Sequence, residues 1–248
     1  MSIQGNDVRC GEEGILRTAL YEAGMDLPDK KIELLYRHLE LVIQKNRTTN
    51  LTRIDGVEDG SYLHVVDSLL LLSAFDAAPK GAFVDVGTGA GYPGIPLAIV
   101  TERKGVLVDS VKKKAAAVGE FVRELGLQGQ VEVASSRAEE LGRARRGRYA
   151  IVTARAVAQT NVLVEYAAPL LRKGGRLVVA KARPSDDEIQ AAGRAARVCG
   201  LQLVSRETFE LPGDRGHREV LSYEKVGNPA IRLPRATGMA QHHPLGTE

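Results

Sequence analysis

The stretch 83-FVDVGTGAGYPGIPLAIV-100 constrains the fold of this chain more than any other part of the sequence. An apolar run ends at Val86, glycines follow at once, and an apolar segment of helical length comes next. Glycines directly after a buried strand permit positive φ and bring backbone N–H groups close to a ligand. The stretch therefore predicts a strand, a ligand-binding turn and a helix.

Two cofactor patterns fit this turn. The dinucleotide pattern Gly-x-Gly-x-x-Gly begins at Gly89, and the S-adenosylmethionine pattern Asp-x-Gly-x-Gly-x-Gly begins at Asp85. Because the strand ends at Val86, the second pattern is in register with the strand and the first begins two residues late. The Asp85 carboxylate can meet the positively charged amino group of a methionine moiety, whereas it would oppose a pyrophosphate. The residues favour S-adenosylmethionine, with a nicotinamide-linked oxidoreductase as the alternative. The glycines of the favoured pattern are Gly87, Gly89 and Gly91.

The rest of the chain alternates short β-branched runs with amphipathic segments of helical length. Such alternation implies βαβ units and a parallel sheet that is covered on both faces. Two terminal runs, 201–211 and 217–226, are joined by Pro-Gly-Asp-Arg-Gly, which predicts a hairpin. We expect the α/β fold of class I S-adenosylmethionine-dependent methyltransferases, Rossmann-like, with a mostly parallel seven-stranded sheet and an antiparallel edge strand. The parallel strands are predicted at 82–86, 105–109, 130–134, 149–153 and 175–181.

Three parts of the chain differ in pattern. Residues 1–78 are predicted to form an N-terminal helical extension packed on the core, because apolar residues follow helical spacing between residues 12 and 75. Residues 79–226 are predicted to form the methyltransferase domain. Residues 227–248 are Pro-rich and are predicted to form an irregular C-terminal tail.

Composition narrows the range of partners. A net charge of +3 is compatible with a polyanionic partner, and the absence of Trp argues against a reader of single strands by aromatic stacking. Cys10 and Cys199 lack the spacing of metal ligands, so no metal is expected, and they indicate a reducing cytoplasm. No apolar run reaches membrane-spanning length, and the N-terminus has no hydrophobic signal region. We expect a cytoplasmic protein without membrane contact.

Further cofactor-binding residues are predicted at the ends of the next two strands. Asp109 ends the second strand about 20 residues after the glycine turn, where a carboxylate binds ribose hydroxyls in both cofactor classes. With Ser110 it can instead cap the following helix, and both roles can hold together. Ser136 and Glu139 fit a capping box. Glu139 also lies just past the third strand, where an adenine would rest, so both interpretations stay open.

The segment 152-VTARAVAQ-159 lacks the groups that several methyl transfers need. It has no Asn/Asp-Pro-Pro-aromatic motif for exocyclic amines and no cysteine nucleophile for pyrimidine carbon-5. Arg155 stands where ribose methylation would place an aspartate beside Lys181. What remains is a methyl acceptor that needs no deprotonation, such as nitrogen-7 of guanine. Because such a transfer can proceed by positioning alone, we expect no catalytic side chain and no general base. The sequence predicts RNA binding by Arg155, Lys181 and Arg183. Two alternatives stay open for Arg155: it could hold the cofactor, or it could form a surface ion pair.

Several segments together resemble one known family. They are 50-NLTRI-54, 64-HVVDSLLL-71, 84-VDVGTGAGYPGIPLAI-99, 108-VDSVKKKAAA-117, 135-SSRAEE-140, 153-TARAVA-158, 178-VVAKA-182 and 244-PL-245. The chain resembles the bacterial 16S rRNA guanine-527 nitrogen-7 methyltransferases, also called the glucose-inhibited division protein B family.

The resemblance implies S-adenosylmethionine as cofactor and 16S rRNA or the small ribosomal subunit as partner, and we expect a monomer. The tail has few lysines where the family tail is commonly basic. Another S-adenosylmethionine-dependent methyltransferase, or a cofactor-binding RNA-interaction protein without catalysis, remains an alternative. The resemblance implies cofactor contacts at Gly87, Tyr92, Ala138, Glu139 and Arg155, and the general methyltransferase pattern adds Asp85, Asp109 and Ser110.

Overall fold

The computed structural model describes the backbone of residues 3–247 and the side chains of residues 11–247. The outermost residues of the predicted extension and tail, and the side chain of Cys10, lie outside this range. A seven-stranded sheet with the order β3-β2-β1-β4-β5-β7-β6 forms the centre of the molecule. Its strands are β1 Phe83–Val86, β2 Gly105–Asp109, β3 Val131–Ser135, β4 Tyr149–Arg155, β5 Leu171–Lys181, β6 Leu201–Glu210 and β7 His217–Lys225.

The strand pairing confirms the predicted fold class. Strand β1 pairs in parallel with β2 and β4, β2 pairs in parallel with β3, and β4 with β5. Strand β7 is antiparallel to both of its neighbours, β5 and the outermost strand β6. The strand order changes direction between β1 and β4, and ligands of open α/β sheets bind at the carboxyl ends of strands at such a point.

Helices cover both faces of the sheet, as expected for buried parallel strands. Side chains of α6 and α7 join one hydrophobic cluster together with the N-terminal helices, whereas α8, α9 and α10 contribute to a second cluster. These helices are α6 Gly94–Thr101, α7 Lys112–Glu124, α8 Ala138–Ala144, α9 Thr160–Leu170 and α10 Asp186–Cys199.

The N-terminal extension is helical, as predicted. The apolar stripe that includes Ile32, Leu35 and Val42 is buried, and the ring of Phe75 meets that of Phe83 in β1 edge-on at 5.6 Å between centroids. The extension therefore packs on the first face of the sheet, while its boundary as a separate domain stays a prediction. Its elements are α1 Ile3–Glu22, α2 Asp29–Asn46, α3 Val57–Gly60, a π-helical turn Ser61–Val66, α4 Asp67–Leu69 and α5 Leu72–Asp76.

The C-terminal tail is mostly irregular and packs on the second face of the sheet. Within residues 227–247, the one helical turn is α11, Met239–His242. Leu233 and Ala240 are buried in the second hydrophobic cluster. Within residues 3–247, no helix has both the length and the apolar character that crossing a membrane requires.

Candidate functional site

The carboxyl ends of β1, β2, β4 and β5 surround a cavity of about 820 Å³. The turn after β1 contributes Gly87 and Gly89, β2 contributes Asp109, β4 contributes Arg155 and β5 contributes Lys181. This volume lies within the range of small-molecule sites. With Tyr92 and Arg183, which also line it, the structure therefore brings seven of the predicted site residues to one cavity at the point where the strand order changes direction.

The glycines of the turn have different roles. Gly87, Gly89 and Gly91 have φ of 74°, 61° and 92°, which side chains rarely adopt. A Cβ atom on Gly87 would lie 2.5 Å from Cγ2 of Val157, whereas on Gly89 the nearest atom would be the carbonyl oxygen of Gly87 at 4.0 Å. Gly87 is thus required by packing, and Gly89 leaves open space at the cavity. Gly91 lies off the cavity wall, where a Cβ atom would collide with the side chain of Ile95.

Asp85 lies behind the glycine turn and is fully buried. Its Oδ2 accepts a hydrogen bond of 3.0 Å from the backbone N–H of Gly94, the first residue of α6. Burial raises the pKa of this carboxyl to about 6, and Oδ1 has no hydrogen-bond partner among the described residues. A carboxylate therefore occupies the helix N-terminus that a dinucleotide pyrophosphate would need. Contact between Asp85 and a methionine amino group stays a prediction.

Asp109 connects the end of β2 to the glycine turn. Its Oδ2 accepts from the backbone N–H of Gly89 at 3.0 Å, and its Oδ1 accepts from that of Val111 at 2.8 Å. Helix α7 begins at Lys112 with Val111 at its N-cap, and no side chain caps it. The capping role considered for Asp109 and Ser110 is therefore wrong, while Asp109 faces the cavity as the ribose role requires.

A smaller cavity of about 80 Å³ adjoins the first one at Gly87 and Val157. Ser110, Ala138 and Glu139 line it together, so three of the predicted cofactor residues lie at one place. The predicted capping box is displaced by one residue, because Ser136 Oγ and Arg137 N donate to Glu140. The capping interpretation of Glu139 is wrong. Its Oε1 instead accepts from the backbone N–H of Gly238 at 2.8 Å.

Tyr92 forms the centre of a buried stack of rings. Its ring centroid lies 4.4 Å from that of His38 in α2 and 4.5 Å from that of His64 in the π-helical turn. Burial lowers the pKa of His38 to about 3, and burial together with nearby Arg155 lowers that of His64 to about 3. Both histidines are therefore neutral near pH 7. The neutral His38 ring donates from Nε2 to the carbonyl oxygen of Ala90, 3.0 Å away, and so holds the glycine turn.

Arg155 lies beside this stack, with its guanidinium carbon 5.7 Å from the centroid of the Tyr92 ring. Its Nη1 donates to Asp67 Oδ2 at 2.5 Å and to the carbonyl oxygen of Leu63 at 2.8 Å. Because only 14% of the Arg155 side chain and 6% of the Asp67 side chain are exposed, the proposed surface ion pair is wrong. Asp67 also accepts from Nε of Arg218 at 2.7 Å, so one carboxylate holds two guanidinium groups at the cavity.

The two remaining predicted RNA-binding residues differ in how available their charges are. Lys181 Nζ pairs with Glu188 Oε1 at 2.7 Å and donates to the carbonyl oxygen of Ala158 at 3.1 Å. Arg183 is exposed on the cavity rim and has no hydrogen bond or ion pair with any described side chain or backbone group. The structure thus leaves the charge of Arg183 available to a polyanion and compensates that of Lys181.

The sequence did not predict that the N-terminal extension and the C-terminal tail contribute residues to the site. The segment 64-HVVDSLLL-71 contained a signal, because His64 and Asp67 are polar residues in an apolar helical run. No comparable signal marked His38 or Gln241, since both meet the site only through the tertiary fold.

Two classes of chemistry find no support in the described part of the chain. Residues 11–247 contain no group of three or more His, Cys, Asp or Glu side chains that could hold a metal ion. Cys199 is buried in α10, and burial raises the pKa of its thiol to about 12, so it is no nucleophile at neutral pH.

Comparison with known proteins places this chain among close relatives. A family model described as GidB, rRNA small subunit methyltransferase G, matches residues 31–217. The Ribosomal RNA small subunit methyltransferase G of Carboxydothermus hydrogenoformans is 39% identical over 236 residues, which cover 94% of this chain and 100% of the relative. The protein of the same name from Gloeobacter violaceus is 40% identical over 224 residues, which cover 89% and 87%.

Solved structures share the fold at low sequence identity. A protein from Corynebacterium glutamicum has a TM-score of 0.54 at 17% identity and covers 86% of this chain and 97% of its own. Geranyl diphosphate methyltransferase in complex with GPP and sinefungin has a TM-score of 0.54 at 16% identity, covering 68% and 82%. At such identities the similarity concerns the fold alone.

Proposed function

This chain belongs to the rRNA small subunit methyltransferase G family, and on that premise we propose that it methylates nitrogen-7 of guanine 527 in 16S rRNA. The methyl donor is S-adenosylmethionine. The observation that carries the proposal is the contact between Gly89 and Asp109 on the wall of a cavity at the carboxyl ends of the parallel strands. We further propose that the protein acts as a monomer in the cytoplasm, on the rRNA or on the small ribosomal subunit.

The residues of the two cavities fit S-adenosylmethionine. Asp109 presents a carboxylate for ribose hydroxyls, and the open side of Gly89 allows a ligand to approach the backbone closely. Ser110, Ala138 and Glu139 surround the place for the adenine. When bound, the cofactor supplies a methyl group on a positively charged sulfur. The carboxylates of Asp109 and, behind the turn, Asp85 suit such a cation, and a pyrophosphate would be repelled.

Among the described residues, the carboxylates that line the cavity are all engaged by hydrogen bonds or ion pairs, and both ring nitrogens of His64 have partners. Both oxygens of Asp109 accept backbone N–H groups, and Asp67 accepts from two guanidinium groups. Glu188 is paired with Lys181. Guanine nitrogen-7 carries a lone pair and no proton, so none of these groups has to act as a base. Their fixed hydrogen bonds instead hold the wall rigid, and alignment of two reactants contributes up to about 7–11 kcal/mol.

Single-turnover methyl transfer tests this function. Labelled S-adenosylmethionine should transfer its methyl group to 16S rRNA or to the small subunit, and mapping should locate the product at nitrogen-7 of guanine 527. The rate should vary little between roughly pH 6.5 and 9, because no base has to ionise. RNA with 7-deazaguanine at the target should bind without reacting. Reaction of the deaza RNA, or a log-linear rise of the rate with pH, would contradict the mechanism.

Cofactor choice has its own test. Calorimetric titration should show binding of S-adenosylmethionine and none of NAD or NADP, because Asp85 already occupies the N-terminus of α6. Preferential binding of a dinucleotide would support the oxidoreductase alternative.

A further inference from the structure

We propose that the C-terminal tail completes the adenine end of the cofactor site and that Gln241 recognises the edge of the adenine. This inference rests on the proposed function, since it specifies how the same cofactor is held. Gln241 lies in α11 and lines the smaller cavity together with Ser110 and Glu139. The sheet thus provides one wall of this subsite, and the tail provides another.

The tail is anchored on both sides of Gln241. Before it, Arg235 forms a bidentate pair with Glu165 of α9, from Nε at 2.8 Å and Nη2 at 2.5 Å, and Glu165 is only 3% exposed. After it, Asn161 Nδ2 donates to the carbonyl oxygen of Leu245 at 2.8 Å. Charge-assisted bidentate bonds fix geometry as well as adding stability. These anchors hold the intervening segment over the second face of the sheet, at the adenine subsite.

A backbone contact connects the tail directly to a predicted cofactor residue. Gly238 N donates to Glu139 Oε1 at 2.8 Å, and Glu139 is only 4% exposed. No hydrogen bond from residues 11–247 reaches its other oxygen, Oε2. A carboxylate can only accept hydrogen bonds, so Oε2 suits an amino group or another N–H of the ligand. The tail therefore orients Glu139 and leaves one acceptor for the base.

The side chain of Gln241 supplies a hydrogen-bond donor, which the carboxylate of Glu139 lacks. A carboxamide carries a donor and an acceptor side by side, and it pairs bidentately with the amino group and the ring nitrogen of adenine. Gln241 is exposed, and its side chain makes no hydrogen bond to the described residues. Gln241 is therefore free to pair with a ligand at the wall that the short helix forms.

Isothermal titration of two ligands tests this assignment. S-adenosylhomocysteine carries the adenine amino group, and S-inosylhomocysteine has an oxygen in its place. Wild-type protein should prefer the adenine ligand, and Gln241→Ala should weaken its binding by about 5- to 100-fold, the effect of two hydrogen bonds. The same variant should lose less affinity for the inosine ligand, because that ligand lacks the amino group from which the Gln241 carbonyl oxygen would accept a hydrogen bond. Gln202→Ala, an exposed glutamine on the far edge strand β6, is the matched control and should change neither affinity.

Gln241→Glu separates the two hydrogen bonds of the carboxamide. This variant keeps an acceptor for the amino group and lacks the donor, so its affinity for S-adenosylhomocysteine should lie below that of wild type. Unchanged affinities in Gln241→Ala, or an equal loss for both ligands, would overturn the recognition of adenine by Gln241. Tight binding of S-adenosylhomocysteine without methyl transfer to rRNA would instead contradict the proposed function, while the comparison of ligands would still decide the role of Gln241. No binding by wild-type protein would overturn both.

Discussion

The guanidinium of Arg155 and the carboxylate of Asp67 lie 2.5 Å apart, between Nη1 and Oδ2, although 88 residues separate them in the chain. Arg155 ends β4 and Asp67 begins α4, so the pair joins the sheet to the N-terminal extension at the cavity. Arg218 of β7, which also lines the cavity, donates to the same carboxylate. The extension is therefore part of the wall that the cofactor and the RNA would meet.

Loss of Asp67 should destabilise the protein strongly. Asp67→Ala leaves two mostly buried guanidinium groups without their carboxylate, and breaking a buried pair in this way costs about 3–5 kcal/mol. Urea unfolding followed by circular dichroism measures the change. Glu132→Ala breaks the more exposed pair with Arg145 and should cost less than about 1 kcal/mol. Equal losses in the two variants would show that the Asp67 pairs contribute no more than a surface contact.

The fold was predictable because its signals are local. The glycine turn followed directly on β1, and the alternation of apolar runs gave the parallel strands within a few residues of their observed ends. Asp109 was predictable for the same reason, since it ends a strand next to the turn. The position of Arg155 at the carboxyl end of β4 was predictable, but its pairing with Asp67 was not, because that pairing depends on how the extension packs.

The remaining site features depend on tertiary contacts that no local pattern encodes. His38 meets the glycine turn across 52 residues, and Gly238 meets Glu139 across 99. The predicted position of the capping box was wrong for a different reason. Glu139 and Glu140 are adjacent acidic residues, and the helix begins at Ala138, so the second of them reaches the backbone N–H of Arg137. A shift of one residue at a helix end decided which carboxylate was left for the cavity.

Alanine at Gly89 should separate binding from folding. No protein atom lies within 3.4 Å of a Cβ atom there, so Gly89→Ala should cost about 1 kcal/mol of stability from its positive φ. The methyl group would occupy space at the cavity, and the affinity for S-adenosylmethionine should fall at least tenfold. Calorimetric titration and urea unfolding measure the two effects.

Alanine at Gly87 is the matched comparison. Its Cβ atom would lie 2.5 Å from Cγ2 of Val157, so Gly87→Ala should lose more stability than Gly89→Ala as well as affinity. Tight binding by Gly89→Ala would mean that the turn is structural and that the cofactor does not approach it.

His38 should make the protein sensitive to acid. The unfolded side chain has a pKa of 6.5 and burial lowers the folded value to about 3, so only the unfolded state takes up the proton between these values. The stability contributed by neutral His38 is therefore present above pH 6.5 and is lost as the pH falls toward 3. Between pH 7 and pH 5 the loss is on the order of 2 kcal/mol.

Phenylalanine at this position tests the effect. His38→Phe keeps a ring against Tyr92 and Phe121 and removes the titrating group, so its stability should fall less than that of wild type between pH 7 and 5. Asp85, whose pKa is raised by burial to about 6, acts in the opposite direction but equally in both proteins. His242→Gln, at an exposed position, should follow the wild-type curve. An acid dependence of His38→Phe equal to that of wild type would contradict the assignment.

Arg183 should contribute more to RNA binding than Lys181, although both lie on the cavity rim. The ammonium of Lys181 is compensated by Glu188, whereas the guanidinium of Arg183 is exposed and has no partner among residues 11–247. Arg183→Ala should weaken binding of an rRNA fragment and reduce the slope of log affinity against log salt by about one. Lys181→Ala should change the slope less. Fluorescence anisotropy at several salt concentrations measures both slopes, and unchanged affinity for S-adenosylmethionine confirms an intact Arg183→Ala cofactor site. If instead Lys181→Ala has the larger effect on the slope, the pair with Glu188 must open when RNA binds.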